Sequence, residues 1–86
     1  MCVGIPGQIV EITDPVHRLA LVEMSGRRRE VNLGLLSPDE GVVGEWVLVH
    51  AGLAVSRMGP EEAQSTLEFL RELDRIYEEE QHEHVN

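Results

Sequence analysis

The chain has 86 residues, enough for one small domain, and a domain of this size buries only roughly 60–65% of its unfolded surface. Hydrophobic residues make up 42% of the chain, which is typical of a globular protein. The net charge is −9, and a strongly acidic chain repels phosphate backbones, so the composition disfavours nucleic acid as a partner. The small size favours a partner-binding module over an enzyme with an enclosed active site.

The charge is concentrated in the last third of the chain. Residues 1–59 carry five arginines and seven acidic residues, whereas residues 60–86 carry two arginines and nine acidic residues. The single cysteine excludes a scaffold held by internal disulfides. No apolar run approaches the roughly 20 residues of a membrane helix, and the N-terminus does not resemble a signal peptide. We therefore expect a cytoplasmic protein with no membrane partner.

The pattern predicts five short strands followed by one helix. β-branched and alternating apolar residues, separated by the turn signals Asp14-Pro15, Ser25-Gly26 and Gly52, place strands at Gln8–Thr13, His17–Met24, Arg27–Leu33, Glu45–Ala51 and Leu53–Met58. The run Glu45–Ala51 is the most apolar and suits a strand covered on both faces. So many short strands in under sixty residues indicate a small, closed or nearly closed antiparallel barrel of the OB type.

The helix is predicted to begin at Pro60, because proline and the following glutamates suit a first helical turn. An apolar stripe with spacings of three and four identifies its inner face: Ala63, Leu67, Leu70, Leu73, Ile76 and Tyr77. We expect the helix to end near Glu80 and the turns from Leu73 to Tyr77 to be only partly covered. The sequence thus predicts a mainly β protein, with a barrel over residues 1–59 and an acidic amphipathic helix and tail over residues 60–86 of the same domain.

The only cysteine, Cys2, lies at the chain terminus, where a residue contributes little to a core. Removal of Met1 would leave a free amine beside the thiol, and a nearby cation lowers the pKa of a thiol and favours the thiolate. The dipeptide Pro6-Gly7 is predicted to turn the chain sharply out of its first strand, so that the thiol stands clear of the body. These features favour an exposed ligand or a tether to a partner.

His50 is the second candidate, at the end of an otherwise apolar strand. A lone histidine in such a place is usually a rim residue, but it gains importance if the N-terminal segment lies at the same end of the barrel. A thiolate and an imidazole together bind a soft or borderline metal, or the imidazole activates the thiol. Two ligands would leave the metal site open to a partner.

Other candidates are weaker. The pair His82 and His84 lies in a tail that is expected to be solvated, and His17 is expected to be exposed. The run Arg27–Arg29 is a short basic patch in an acidic protein, which fits a solvated hairpin edge or a contact with an acidic partner.

Two blocks of the sequence resemble a known family. The N-terminal run Met1–Ile9 (MCVGIPGQI) is similar to the signature of the HypC/HupF/HybG group of NiFe-hydrogenase maturation chaperones. The run Trp46–Ala54 (WVLVHAGLA) resembles the second block of that family, although Leu53 stands where an aromatic residue is common. The acidic start of the helix also fits the C-terminal helix of that group.

The resemblance implies a chaperone rather than an enzyme. Its implied partners are a HypD-type iron–sulfur scaffold protein, a HypE-type protein reached through the scaffold complex, and the hydrogenase large-subunit precursor. The implied cargo is iron, transiently bound as Fe(CN)2CO, with no permanent cofactor. Cys2 and His50 are the implied iron ligands. The implied partner-binding residues are Cys2, Val3, Gly4, Ile5, Pro6, Gly7 and His50.

Two other functional classes account for part of the sequence. An enzyme with a Cys2–His50 dyad, for example in thiol exchange, would turn over a small substrate by itself. An OB-type binder of single-stranded nucleic acid would need a basic groove and stacking aromatic residues, whereas this chain has just three aromatic residues and a net charge of −9. Neither explains the sequence as well as the chaperone does.

Overall fold

The computed structural model describes the backbone of residues 4–85 and the side chains of residues 4–76. It contains five strands and one helix: β1 (Ile5–Asp14), β2 (Leu19–Met24), β3 (Arg27–Asn32), β4 (Trp46–His50), β5 (Leu53–Met58) and α1 (Pro60–Val85). The predicted mainly β fold with a single C-terminal helix is confirmed.

The five strands form a closed barrel in the order β1-β2-β3-β5-β4. Strands β1, β2 and β3 make an antiparallel meander, β1 also pairs with β4, and β4 forms a hairpin with β5. The barrel closes through a parallel pairing of β3 with β5 at Asn32 and Leu53. The turns Ser25-Gly26 and Ala51-Gly52 have positive φ at both residues, as tight hairpin turns of type I′ require.

The prediction for Pro6-Gly7 was wrong, because the first strand begins at Ile5 and contains both residues. Pro6 is opposite Leu48 of β4, and Gly7 is opposite Val47. The N–H of Ile9 donates to the carbonyl of Glu45, the residue directly before β4, so by alternation the nitrogen of Pro6 faces the other edge of β1. The pairing with β2 begins only at Gln8, so the missing N–H of proline removes no ladder hydrogen bond.

The second strand begins at Leu19 rather than at His17, because the turn is longer than predicted. One carboxylate oxygen of Asp14 accepts hydrogen bonds from the backbone N–H groups of Val16 and His17, both at 3.1 Å. Arg18 then adopts a positive φ of 58°. Polar side-chain to backbone bonds of this kind stabilise turns in place of strand pairing.

The guanidinium of Arg18 holds the long loop between β3 and β4. Its Nη2 donates to three backbone carbonyls, those of Leu33 at 3.0 Å, Leu36 at 3.4 Å and Ser37 at 3.3 Å. Leu33 and Leu36 are both buried in the core. The start of the loop therefore packs into the core, and one arginine bonds four of its carbonyl groups, including that of Pro38.

The core is made of aliphatic side chains from all five strands and this loop: Ile9, Ala20, Val22, Val31, Leu33, Leu36, Val47, Val49 and Ala54. One face of β3 is part rim and part core, as its sequence predicts. Val31 on this face is buried, whereas Arg27 and Arg29 on the same face are exposed. The expectation that β4 is covered on both faces is confirmed in part. Val47 and Val49 are buried inside the barrel, whereas the outward residues Trp46 and Leu48 are half-buried.

The helix α1 contacts β1 and β4 through its first half. Gly59 accepts its first hydrogen bond, from the N–H of Ala63, and Pro60 opens the first turn. Ala63 is fully buried, but Leu73 and Ile76 are 46% and 44% exposed, which confirms the incomplete cover expected at these two residues; the side chain of Tyr77 lies outside the described ones. The helix extends to Val85, beyond the predicted end near Glu80. Among the described residues, no helix is long and apolar enough to cross a membrane.

Candidate functional site

The chain enters the barrel beside His50. Ile5 is opposite Val49 in the antiparallel pairing of β1 with β4. The pairing ends there, and extending its register by one residue sets Gly4 opposite His50. The structure thus places the start of the described chain next to the end of β4. A functional role of His50 gains support when the N-terminal segment lies at this end of the barrel.

His50 is exposed, and its position is fixed by the backbone on both sides. It is the last residue of β4 and is opposite Leu53 across the tight Ala51-Gly52 turn. Within residues 4–76, no side-chain hydrogen bond to its imidazole is present. Because the side chain is exposed, a ligand or a partner can reach the imidazole.

The other predicted iron ligand, Cys2, lies outside the described residues, as does Val3. The tail histidines His82 and His84 have no described side chains. In the part of the chain whose side chains are described, no group of three or more histidine, cysteine, aspartate or glutamate residues is arranged to hold a metal ion. His50 is thus the one predicted iron ligand whose surroundings the structure gives.

The backbone of Gly4 lies very close to the side chain of Leu48. A Cβ at this position would lie 2.6 Å from Cγ of Leu48, so a larger residue would displace the segment or the leucine. Gly7 is more constrained still, because a Cβ there would lie 2.4 Å from Cγ1 of Val22 inside the barrel. Pro6 and Gly7 are both buried. These two residues fix the path of β1, and a partner would reach Gly4 and Ile5 before it reached them.

A groove of about 610 Å³ runs between the helix and the barrel, next to this segment. Its apolar part contains Ile5 and Trp46 from the strands and Leu67 and Leu70 from the helix. Its polar rim is formed by Glu23, Gln64, Arg71 and Asp74. Ile5 is 42% exposed, so the groove is open at the end where the N-terminal segment enters. The combination of an apolar floor and a charged rim is typical of a protein-binding surface.

Sequence reasoning missed the part of this groove that Trp46, Leu67 and Leu70 provide. The strand alternation places Trp46 on the outer face of the barrel, and the helical stripe places the leucines on the inner face of α1. Both signals were present, but only the packing of α1 across β1 and β4 brings the three side chains together.

His17 is exposed, as expected, and serves the turn after β1. Its Nδ1 lies 2.8 Å from Oδ2 of Asp14. This side-chain contact, together with the backbone N–H groups of His17 and Val16, lowers the pKa of the Asp14 carboxyl below its usual value of 3.8. The pair stabilises a turn and lies apart from the groove.

Comparison with known proteins gives the same family along most of the chain. Residues 1–70 match the HupF/HypC family. The chain is 42% identical over 76 residues to the hydrogenase maturation factor HybG of Escherichia coli K12, covering 86% of this chain and 93% of that protein. It is 46% identical over 80 residues to the hydrogenase maturation factor HypC of Rhodobacter capsulatus, covering 91% of this chain and 83% of the relative. With HypC of Helicobacter hepaticus it shares 34% identity over 85 residues, or 99% and 95% of the two chains.

Proposed function

Because the chain belongs to the HupF/HypC family of hydrogenase maturation factors, we propose that it is an assembly chaperone that carries the Fe(CN)2CO group. In this proposal Cys2 is the carrier thiolate. The partners are a HypD-type iron–sulfur scaffold protein, with a HypE-type protein reached through it, and the hydrogenase large-subunit precursor. The protein is a cytoplasmic carrier and performs no catalysis of its own.

The observation that supports the proposal best is the register of β1 and β4. It sets Gly4 opposite the exposed imidazole of His50, as an extension of the Ile5–Val49 pair. Cys2 is two residues from Gly4 in the sequence, and two residues of extended chain span about 7 Å. In this proposal a thiolate at position 2 and the imidazole of His50 bind a common iron ion.

The chemistry of the cargo suits this pair of ligands. Cyanide and carbon monoxide are strong-field ligands that keep iron ferrous and low-spin, and a soft thiolate is a suitable anchor for it. His50 provides a second ligand or takes the proton of the Cys2 thiol as the thiolate forms. One thiolate and one imidazole leave positions for ligands from the scaffold or from the precursor, unlike a closed tetrahedral cage.

The transfer is a ligand exchange. A bond forms between the iron and a cysteine thiolate of the acceptor, and the bond between the iron and the Cys2 sulfur breaks. The acceptor thiol gives up a proton, the departing Cys2 thiolate takes one up, and the iron stays ferrous throughout. The step needs no oxidant or reductant, so a site that binds weakly enough to release its cargo is sufficient.

The groove between α1 and the barrel offers a binding surface for the partner during the ligand exchange. Ile5 is part of its apolar floor and is also the first residue of β1, directly after Gly4. A partner whose apolar side chain enters beside Trp46 would therefore contact the barrel next to the carrier thiolate. We assign Gly4, Ile5 and His50 to the contact surface, with Pro6 and Gly7 as the buried support of that surface.

Copurification tests the proposal. Cys2→Ala should abolish copurification of the scaffold protein and of the precursor, while the melting temperature stays nearly unchanged. His50→Ala should lower the amount of iron retained more than it lowers stability. His17→Ala, another exposed histidine, is the matched control and should retain the iron.

Infrared spectroscopy of the anaerobically purified complex identifies the cargo. CN and CO stretching bands should be present with the wild-type chain and absent with Cys2→Ala. Full maturation of hydrogenase by a Cys2→Ser variant would refute the carrier role. Loss of folding in either variant would show instead that the residue is structural.

A further inference from the structure

The barrel closes between β3 and β5 through a single residue pair, so most of the β5-facing edge of β3 is unpaired among the described strands. β3 pairs with β2 along its whole length, from Arg27 to Asn32. On its other side it pairs with β5 at Asn32 alone. In the described chain, residues 27–31 therefore have a strand neighbour on one side only.

The hydrogen bonds at the end of β3 show which backbone groups face the open side. The N–H of Asn32 donates to the carbonyl of Gly52 at 3.0 Å, on the β5 side, whereas the N–H of Leu33 donates to Arg18 at 2.7 Å, on the β2 side. Backbone groups of alternate residues point to the same side of a strand. Arg28 and Glu30 thus direct their N–H and C=O groups to the open edge, where no backbone partner is present among the described residues.

This edge is basic, although the protein is strongly acidic. Arg27, Arg28 and Arg29 are all exposed. Nε of Arg28 lies 3.7 Å from a carboxylate oxygen of Glu23, a contact between two half-exposed side chains that solvent weakens. Within residues 4–76, no carboxylate lies within ion-pair distance of Arg27 or Arg29. The edge therefore presents unpaired peptide groups next to positive charge.

We propose that residues Arg27–Val31 form a docking edge that adds an extended segment of a partner protein as a further strand. The N–H and C=O groups of Arg28 and Glu30 pair with the backbone of that segment, as in strand addition to other sheets. Side chains on the face shared with Arg27 and Arg29 lie beside two cations, so the segment carries acidic residues at alternate positions. The docking edge begins beside the groove, whose lining includes Glu23 and the turn Ser25-Gly26, but none of residues 27–31 lines the groove. The proposal goes beyond the proposed function and does not depend on it.

A second copy of the chain fits this edge poorly. Edge-to-edge pairing of two β3 strands would bring the arginine clusters of both copies together, and charged edge residues commonly prevent such pairing. A single-stranded nucleic acid fits poorly as well, because the whole chain carries a net charge of −9. The acidic segment is the occupant that both the open backbone and the local charge favour.

The test uses the full chain and a blocked eight-residue peptide that alternates glutamate and valine. Amide hydrogen exchange followed by NMR should slow at Arg28 and Glu30 when the peptide is added, and a lysine–valine peptide should have no such effect. Arg27→Glu with Arg29→Glu should weaken binding at least about tenfold. Glu30→Pro should also weaken it, because proline removes an N–H on the open side.

The matched control is Arg57→Glu with Arg75→Glu, which makes the same change of charge at two exposed arginines outside the edge and the groove and should leave peptide binding unchanged. Cys2→Ser should also leave it unchanged, which separates this proposal from the carrier role. The proposal is overturned if about 1 mM acidic peptide gives no protection, or if the lysine peptide protects the same amides equally. Protection that rises with protein concentration alone, or that an oligothymidine produces, would assign the edge to self-association or to nucleic acid instead.

Discussion

Replacing Gly7 with alanine tests how the N-terminal segment is built. A Cβ at this position would lie 2.4 Å from Cγ1 of Val22, 2.6 Å from Cγ of Met24 and 3.2 Å from the carbonyl oxygen of Glu23. The methionine is long, half-buried and able to move. The valine is fully buried in the core, and the carbonyl belongs to the paired strand β2, so neither yields without moving backbone.

Overpacking of this kind lowers the free energy of unfolding by about 1–3 kcal/mol. For a domain of this size, 1 kcal/mol corresponds to about 4–8 °C in the melting temperature. Gly7→Ala is therefore expected to melt about 5–20 °C below the wild type, as measured by circular dichroism during heating and checked by urea denaturation. The loss follows from the packing of β1 against β2 inside the barrel.

Gly59→Ser is the matched control. Nothing lies within 4 Å of a Cβ at Gly59, and serine is favoured at the N-cap position that precedes Pro60. This variant should be as stable as the wild type or slightly more so. A Gly7→Ala protein with an unchanged melting temperature would refute the reasoning, because it would mean that Gly7 is a flexible hinge outside the barrel.

Three further predictions concern the loop, the helix and the first turn. Arg18→Met should lower the free energy of unfolding by about 1–3 kcal/mol, because four loop carbonyls lose their contact with the guanidinium. Arg71→Met should change it by less than about 0.5 kcal/mol in the same urea titration. Leu73→Gln should leave the melting temperature nearly unchanged, because the side chain of Leu73 is half-exposed. Ala63→Leu should lower the melting temperature, because Ala63 is fully buried and a larger side chain overpacks its site. Equal effects of the two substitutions would contradict the packing of α1. The lowered pKa of the Asp14 carboxyl contributes stability at pH values above its usual 3.8, and this contribution is lost as the pH falls through the folded-state pKa. The stability difference between the wild type and Asp14→Asn should therefore shrink as the pH falls below 3.8. A difference that grows in acid would show that the carboxylate is not the stabilising form.

The sequence correctly predicts those turns and element ends that depend on residues next to one another in the chain. The turn Ser25-Gly26 and the hairpin at Gly52 are present as expected, because positive φ at both turn residues favours glycine and small polar residues. β5 has the predicted bounds, and α1 begins at Pro60 as the capping pattern indicates. The family resemblance of the N-terminal block is confirmed by the match of residues 1–70 to the HupF/HypC family.

The sequence alone determined that a small acidic chain with short alternating segments and one apolar helical stripe forms a mainly β barrel with a C-terminal helix. These features could be predicted because hydrophobic periodicity and turn formation depend on residues that are neighbours in the sequence. Only the tertiary structure decided that Pro6-Gly7 continue β1, since the strand that pairs with them lies about forty residues further along the chain. The same pairing sets Gly4 opposite His50, and the single contact of β3 with β5 leaves the arginine edge open. Such long-range pairings depend on how the whole barrel closes, and no local pattern of residues records them.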